Sequence, residues 1–263
     1  MVREVRGWYT DWPGRSPGPA GSEPDIGIRT RTEPFGHLRS GPGDAGRRLV
    51  LTVDDPAAVP GVLKAAAGYF RGDPFDVWVD ERRRAALLDA ALVSAGFHAP
   101  EDDTVVLALV APHWPQDEPA GLEVQEVADE AALRSWARVR LMGFSDSEDE
   151  PAENLVEEQL AARRAEWPIS RYELAFLDGE PVGILAHYTA STDQMVFLLA
   201  TRVPFRRRGV AQSLLRRWGE RALNEGARSL LINCDEHGRP AALYRRLGFV
   251  DEVYWHRRYR PGS

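Results

Sequence analysis

The chain has 263 residues, 43% apolar and 28% charged, which suits one large or two small soluble domains with a full core. Its formal net charge of -7 argues against nucleic acid as a main partner, since phosphate binding wants broad positive surface. The longest apolar run, Val105–Pro112, is far short of the ~20 residues that span a bilayer, and the opening MVREVRGWYTDW lacks the apolar core of a secretory signal. No membrane partner is expected. Cys234 is the single cysteine, so no intramolecular disulfide can form and a reducing cytoplasm is the expected compartment.

Residues 11–46 are rich in Pro and Gly and read as irregular coil or short extended pieces. From Arg48 the signals become regular. RLVLTV is a strand, AAVPGVLKAAAGYF a helix interrupted near Pro60-Gly61, FDVWVDE a second strand, RRRAALLDAALVSAGF an amphipathic helix, and TVVLALVA a buried strand. PHWPQDEPA, residues 112–120, reads as a linker. A longer series follows: strand LEVQEV, helices ADEAALRSWARVRLMGF and PAENLVEEQLAARRAEW, then strands RYELAFL and PVGILAHYTA joined at Asp178-Gly179, a good hairpin turn. Strand MVFLLATRV leads into the turn FRRRG, helix VAQSLLRRWGERAL, strand SLLIN, helix RPAALYRRLG and a last strand around VYWHRRY.

The two series share a register. Gly248-Phe249 lies 152 residues after Gly96-Phe97, and the same shift lays Leu214-Leu215 on Val62-Leu63 and Ser229–Leu231 on Val77–Val79. A helix, a strand and a helix ending in Gly-Phe thus recur without a gap, the mark of an internal duplication. The division expected is a truncated, degenerate repeat over 1–115 and an active domain over 121–263.

The arginine-glycine turn asks for an explanation in an acidic chain. Gly209 admits backbone conformations closed to other residues, and the helix that follows presents unpaired N–H groups at its positive end. Such a junction is a ready site for phosphate, and Arg206, Arg207 and Arg208 would add charge-assisted donors. Val210, Ala211, Leu214, Leu215, Trp218 and Leu223 form one apolar stripe behind it, which fixes the helix to a sheet.

The spacing Arg206-x-x-Gly209-x-Ala211, directly after a strand and followed by Asn233 and Leu243-Tyr244-Arg245-Arg246-Leu247-Gly248-Phe249, resembles the acyl-CoA-binding signature and carboxyl-terminal segment of the GNAT N-acetyltransferase superfamily. The resemblance runs from about Leu122 to Tyr259. It implies an α/β fold, the GNAT acyl-CoA N-acyltransferase fold with a mixed central sheet flanked by helices, preceded here by a truncated GNAT-like repeat. This plan is similar to that of tandem members such as mycothiol synthase. It implies acetyl-CoA as co-substrate, its diphosphate held by the amides of Arg207, Arg208, Gly209, Val210 and Ala211. Main chain near Leu199 and Thr201, where two strands splay, and Asn233 would meet the pantetheine arm. The acceptor would be a small-molecule or peptide amine, and a homodimer is compatible with the family.

The family reaction is direct attack of an amine on a thioester. It needs a base for the ammonium proton, a donor for the oxyanion and an acid for the departing thiolate. The resemblance puts Tyr244 in the acid's position, with a helix tyrosine packed under the sheet as the plainer alternative. The base is not fixed by the pattern: Glu173, His187 and His237 are candidates, His187 for its near-neutral reference pKa. The acidic run Ser145–Glu150 would attract a cationic amine or stand as a solvated loop. No metal is expected. The shift of 152 places Asp54 at Arg206, Ala57 at Gly209 and Leu92 at Tyr244, so the first repeat is expected to be silent. The rival to an enzyme is a non-catalytic acyl-CoA-binding or regulatory protein.

Overall fold

In a computed structural model, residues 29–40, 46–99, 101–167, 170–190 and 192–262 are described. In chain order the elements are β1 (Arg29–Glu33), β2 (Gly36–Ser40), β3 (Arg47–Leu51), α1 (Val59–Tyr69), β4 (Asp76–Val79), α2 (Arg82–Ser94), β5 (Phe97–His98) and β6 (Thr104–Leu109). Then come β7 (Leu122–Glu126), α3 (Glu130–Ser145), α4 (Glu153–Glu166), β8 (Ser170–Leu177), β9 (Glu180–Ala190) and β10 (Asp193–Thr201). The last four are α5 (Val210–Asn224), β11 (Ser229–Asp235), α6 (Arg239–Arg246) and β12 (Phe249–Pro261). None of the helices is long and apolar enough to cross a membrane.

The chain divides into two units. One holds Met1–Ala108, Asn233–Arg245 and Val250–Ser263, the other Leu109–Ile232 and Arg246–Phe249. The carboxyl-terminal residues group with the first unit because β12 pairs antiparallel with β4, Arg257 opposite Val79 and Tyr259 opposite Val77.

In the first unit, β1, β2 and β3 run antiparallel, β3 and β4 parallel, and α1 makes the crossover between the last two. Part of the stretch expected to be irregular is therefore a hairpin: residues 29–40 are β1 and β2, while 11–28 lie outside the described residues. Gly36, at φ +153, lets the hairpin close against Val50, whose carbonyl a Cβ would strike. The break expected in the first helix is also absent. Pro60 sits in the first turn of α1, where its missing N–H has no intrahelical acceptor to lose. Leu49, Leu51, Val77, Val79, Leu88 and Leu92 fill the core.

In the second unit the strand order is β7-β8-β9-β10-β11, antiparallel until the parallel β10–β11 pair. Side chains alternate across it. Tyr172, Leu174, Ile184 and Ala186 pack with Trp136, Leu133, Val156 and Leu160 of α3 and α4. The alternate positions meet α5: a Cβ on Gly183 would lie 2.7 Å from Val210 Cγ1. Asp129 caps α3, accepting from Ala132 N–H at 2.8 Å. Leu214, Leu215 and Trp218 of α5 are fully buried, each worth roughly 1.5–3 kcal/mol or more.

The repetition is visible in the pairing. Each series runs as two antiparallel strands, a third strand, a helix and a parallel fourth strand: β1-β2-β3-α1-β4 and β8-β9-β10-α5-β11. Each continues into a helix and a left-handed glycine, Gly96 at φ +87 and Gly248 at φ +101.

Candidate functional site

The turn between β10 and α5 has the geometry its sequence calls for. Arg207 stands at φ +63 and Gly209 at φ +87, so two left-handed residues bend the chain back before the helix. The first intrahelical bond is Ser213 N–H to Gly209 O, 2.9 Å, which leaves the amides of Val210, Ala211 and Gln212 without acceptors in the helix. Gly209 makes no side-chain cap. The turn is thus a concave set of N–H donors at the positive end of a four-turn helix.

The three arginines divide their work. Arg206 turns inward: its Nε donates to Thr201 O at 3.0 Å, its Nη2 to Gly143 O at 2.7 Å, and it pairs with Asp146 at 2.5 Å. It ties the end of β10 to the end of α3 while its side chain stays 40% exposed. Arg207 and Arg208 are exposed, Arg208 lying 5.4 Å from the Phe205 ring centre. The presumed linker is also a structural piece. Trp114 packs where a Gly219 Cβ would meet it at 2.8 Å, Glu118 takes bonds from Arg217 at 2.9 and 2.6 Å and pairs with Arg216 at 2.6 Å, and Pro119 lies 3.4 Å from a Cβ placed on Gly209. Hydrogen bonding and charge from those two arginines pull the Glu118 carboxyl down to about 2.

Next to the turn, β10 loses its partner. Pairing with β11 covers Asp193–Val196 against Ser229–Ile232, whereas pairing with β9 continues to Thr201. The register against β9 slips between Val196 and Leu198, so Phe197 is the bulged residue. Phe197, Leu198, Leu199 and Thr201 are half-buried, and Thr201 Oγ1 has no partner among the described residues. The Leu199 and Thr201 positions therefore lie on a strand edge with backbone to offer, next to the donor turn.

Glu173 and His187 are brought together, but beneath α5. Both are buried, at 1% and 4% exposure, and Arg221 reaches both: its Nη2 bonds Glu173 Oε1 and lies 3.4 Å from His187 Nε2. Burial, reinforced by the charges of Arg221 and Arg171, pushes His187 down to about 3. Burial pushes the Glu173 carboxyl upward against the attraction of Arg221. Because the imidazole is neutral, its 3.8 Å approach to Glu173 is a polar contact and not an ion pair. Arg221 lies 11 residues beyond Val210, ~16 Å along the helix axis. The pair is therefore at the far end of α5 from the donor turn.

Three of the four carboxylates in the acidic run are paired with arginines. Asp146 pairs with Arg206, Glu148 with Arg202 at 2.6 Å and Glu150 with Arg138 at 2.7 Å, while Asp149 accepts from the Ser147 hydroxyl at 3.0 Å.

Tyr244 and Asn233 belong to the first unit. Tyr244, on α6, is 5% exposed, and burial pushes its phenol well above its usual range, so it holds its proton. Asn233 is half-buried on β11. Cys234 beside it is pushed up to about 12 by burial, which removes it as a thiolate nucleophile at neutral pH. His237 is exposed and bonded to Asp102, Nδ1 to Oδ1 3.0 Å and N–H to Oδ2 2.9 Å; the Asp102 bond raises its pKa. At the matching junction of the first repeat, Asp55 occupies the place of an anion. It accepts from Ala57 N–H at 2.9 Å, and Asp54 pairs with Arg84 at 2.8 Å.

This architecture is the GNAT fold: a mixed sheet flanked by helices, with a donor turn between the fourth strand and the third helix of the second unit. Residues 168–251 match the family model described as the acetyltransferase (GNAT) domain. Among solved structures, a GCN5-related N-acetyltransferase from Kribbella flavida is 19% identical with TM-score 0.58, covering 90% of each chain. A conserved protein of unknown function from Staphylococcus epidermidis is 11% identical with TM-score 0.65, covering 90% of this chain and 96% of its own. A tandem GNAT protein from the clavulanic acid biosynthesis pathway is 14% identical with TM-score 0.58, covering 86% of this chain and 78% of its own. These likenesses concern the fold, and the last makes a tandem arrangement plausible. No curated protein matches the chain.

Proposed function

We propose that the protein is an acetyl-CoA-dependent N-acetyltransferase whose coenzyme site is in the second unit. The observation that carries this reading is the left-handed Arg207–Gly209 turn at the start of α5, beside the unpaired end of β10. In it the amides from Arg207 to Ala211 hold the diphosphate, the exposed guanidinium groups of Arg207 and Arg208 neutralise it, and the main chain at Leu199 and Thr201 pairs with the pantetheine. The bulge at Phe197 turns a backbone N–H out of the ladder, a suitable donor for the tetrahedral oxyanion.

The chemistry is one displacement. The amine nitrogen attacks the thioester carbonyl, the C–S bond breaks as the tetrahedral species collapses, and the thiolate leaves with a proton, an acid's role for which the motif resemblance alone offers Tyr244. The same resemblance offers Asn233 for the pantetheine. We assign Glu173 and His187 to holding α5 on the sheet instead of to proton abstraction, because Arg221 covers both; the amine then gives up its proton through water. The acceptor is a small-molecule or peptide amine.

Calorimetry with acetyl-CoA and an assay of free thiol released with amines test this together. Binding with amine-dependent thiol release is expected, and Tyr244→Phe should lower kcat by ~100-fold or more with little change in coenzyme affinity. A second reading, an acyl-CoA-binding module without turnover, is favoured by the enclosure of both candidate bases. Binding without thiol release from any amine would select it.

A further inference from the structure

Two loops of the first unit meet at an exposed histidine. Asp102 lies just before β6, and His237 stands in the short turn between β11 and α6. The Asp102 carboxylate takes both donors of that one residue, the main-chain N–H on Oδ2 at 2.9 Å and the ring Nδ1 on Oδ1 at 3.0 Å. Glu236 N–H to Asp103 O, 2.7 Å, and Asp103 N–H to Asp102 Oδ1, 2.9 Å, fix the same two loops. A carboxylate can only accept, so the ring proton sits on Nδ1 and the lone pair of the neutral imidazole is on Nε2. The His237 side chain is 81% exposed, and its Nε2 has no partner among the described residues. The carboxylates on either side are engaged elsewhere. Asp103 accepts from Arg257 at 2.7 and 2.8 Å, and Glu236 from Arg82 at 2.7 Å and from the Trp255 indole at 3.1 Å.

We propose that His237, oriented by Asp102, is the base that receives the acceptor amine's proton through water. The inference rests on the acetyltransferase reading and names the proton acceptor that reading leaves open. An exposed ion pair adds little to stability, yet this ring is held in one orientation, the arrangement of a base set by a third group. Tyr244, which the resemblance offers as the acid, belongs to the same unit and follows seven residues later. Attack needs a free amine, so an ammonium ion must first lose a proton. That proton passes through water to Nε2 and from there to solvent. The C–N bond forms, the C–S bond breaks, and a second proton from the nitrogen balances the one that ends on the coenzyme sulfur. The bond to Asp102 raises the His237 pKa, Glu236 adds to the rise, and slight desolvation and Arg245 oppose it. Asp235, pushed upward by burial and by the charge of Asp102, is the other carboxyl of the turn. By contrast, His187, pushed down to about 3, is too weak a base at neutral pH.

The test follows thiol release from acetyl-CoA between about pH 5 and about pH 8, where histidine titrates. The acceptor is the fastest among propylamine, 2-phenylethylamine, glycinamide, spermidine and kanamycin. A base must be unprotonated, so the parent rate should fall with acidity along a limb set by a group titrating above pH 6.5. His237→Gln should lower kcat by ~100-fold or more at neutral pH and remove that limb. Its acetyl-CoA affinity and melting midpoint should change little, because the ring is exposed. Asp102→Asn should move the limb to lower pH, since the bond that raises the pKa is lost; a purely structural tie would leave it in place. Parent-like kcat in His237→Gln would overturn the inference while leaving the acetyltransferase reading intact. So would a limb that disappears in Asp235→Asn but persists in His237→Gln, or one that Asp102→Asn does not move. Thiol release from the parent protein with none of the amines would remove both.

Discussion

Gly209 carries two burdens at one position. Its φ of +87 is costly for any residue with a Cβ, and that Cβ would press within 3.4 Å of Pro119. Gly209→Ala should cost about 1–2 kcal/mol in urea unfolding and weaken acetyl-CoA binding by more than that stability loss explains, since the donor turn itself is distorted. His187 and His256 provide a pH signature. Burial depresses both to about 3 in the folded protein, from an ordinary value of 6.5. Between those values the unfolded chain binds protons that the folded chain does not. Their contribution is therefore fully present above pH 6.5 and is lost as pH falls toward 3. Stability measured between pH 8 and pH 4 should fall, and His187→Phe should flatten the slope in that window. Arg221→Ala should be destabilising because it strands Glu173, though by less than the ~3–5 kcal/mol of a fully enclosed pair, since Arg221 is itself 42% exposed. If Glu173 were instead the base, Glu173→Gln would abolish turnover; we expect it to retain most of its activity.

At the level of elements, the segment before β7 shows how a stretch that reads as a linker becomes part of a site. Its proline and charge content, PHWPQDEPA, has no periodicity to betray a docking surface. The information is on the other partner, in Gly219 and the pair Arg216-Arg217, a hundred residues away. Glu118→Ala should therefore destabilise the second unit by roughly 1–2 kcal/mol, measured as a melting shift, and should free Pro119 from Gly209 enough to raise the acetyl-CoA Kd. By contrast, the helices and strands were legible because their signal is local. The α5 stripe from Val210 to Trp218 recurs at helical spacing, and Asp178-Gly179 marked its own hairpin. Pro60 was misread for a reason equally local: a proline tolerated in a first turn and a proline that breaks a helix look alike until the start of the helix is known. The hairpin of residues 29–40 was hidden by its Pro and Gly content, and only its pairing with β3 defines it.

For the molecule as a whole, a recurring order of elements without equivalence at the helix starts is the main consequence. Both series fold the same way, yet only one presents open donors at its helix start; the other has filled the place with Asp55 and buried Leu92 where the tyrosine would be. Calorimetry should accordingly find one acetyl-CoA per chain, and Asp54→Ala should leave that stoichiometry unchanged. The sequence alone determined most of the elements from residue 48 onward and the left-handed glycine before α5, since helix and strand periods and glycine conformation depend on neighbours a few residues apart. Tertiary structure decided what each charged group does. Arg206 meets Gly143 across 63 residues and Arg221 meets Glu173 across 48, distances over which no periodic pattern speaks. It also decided that 233–245 and 250–263 group with the first unit, because a strand's partner is chosen by hydrogen bonds between distant segments and not by its own residues.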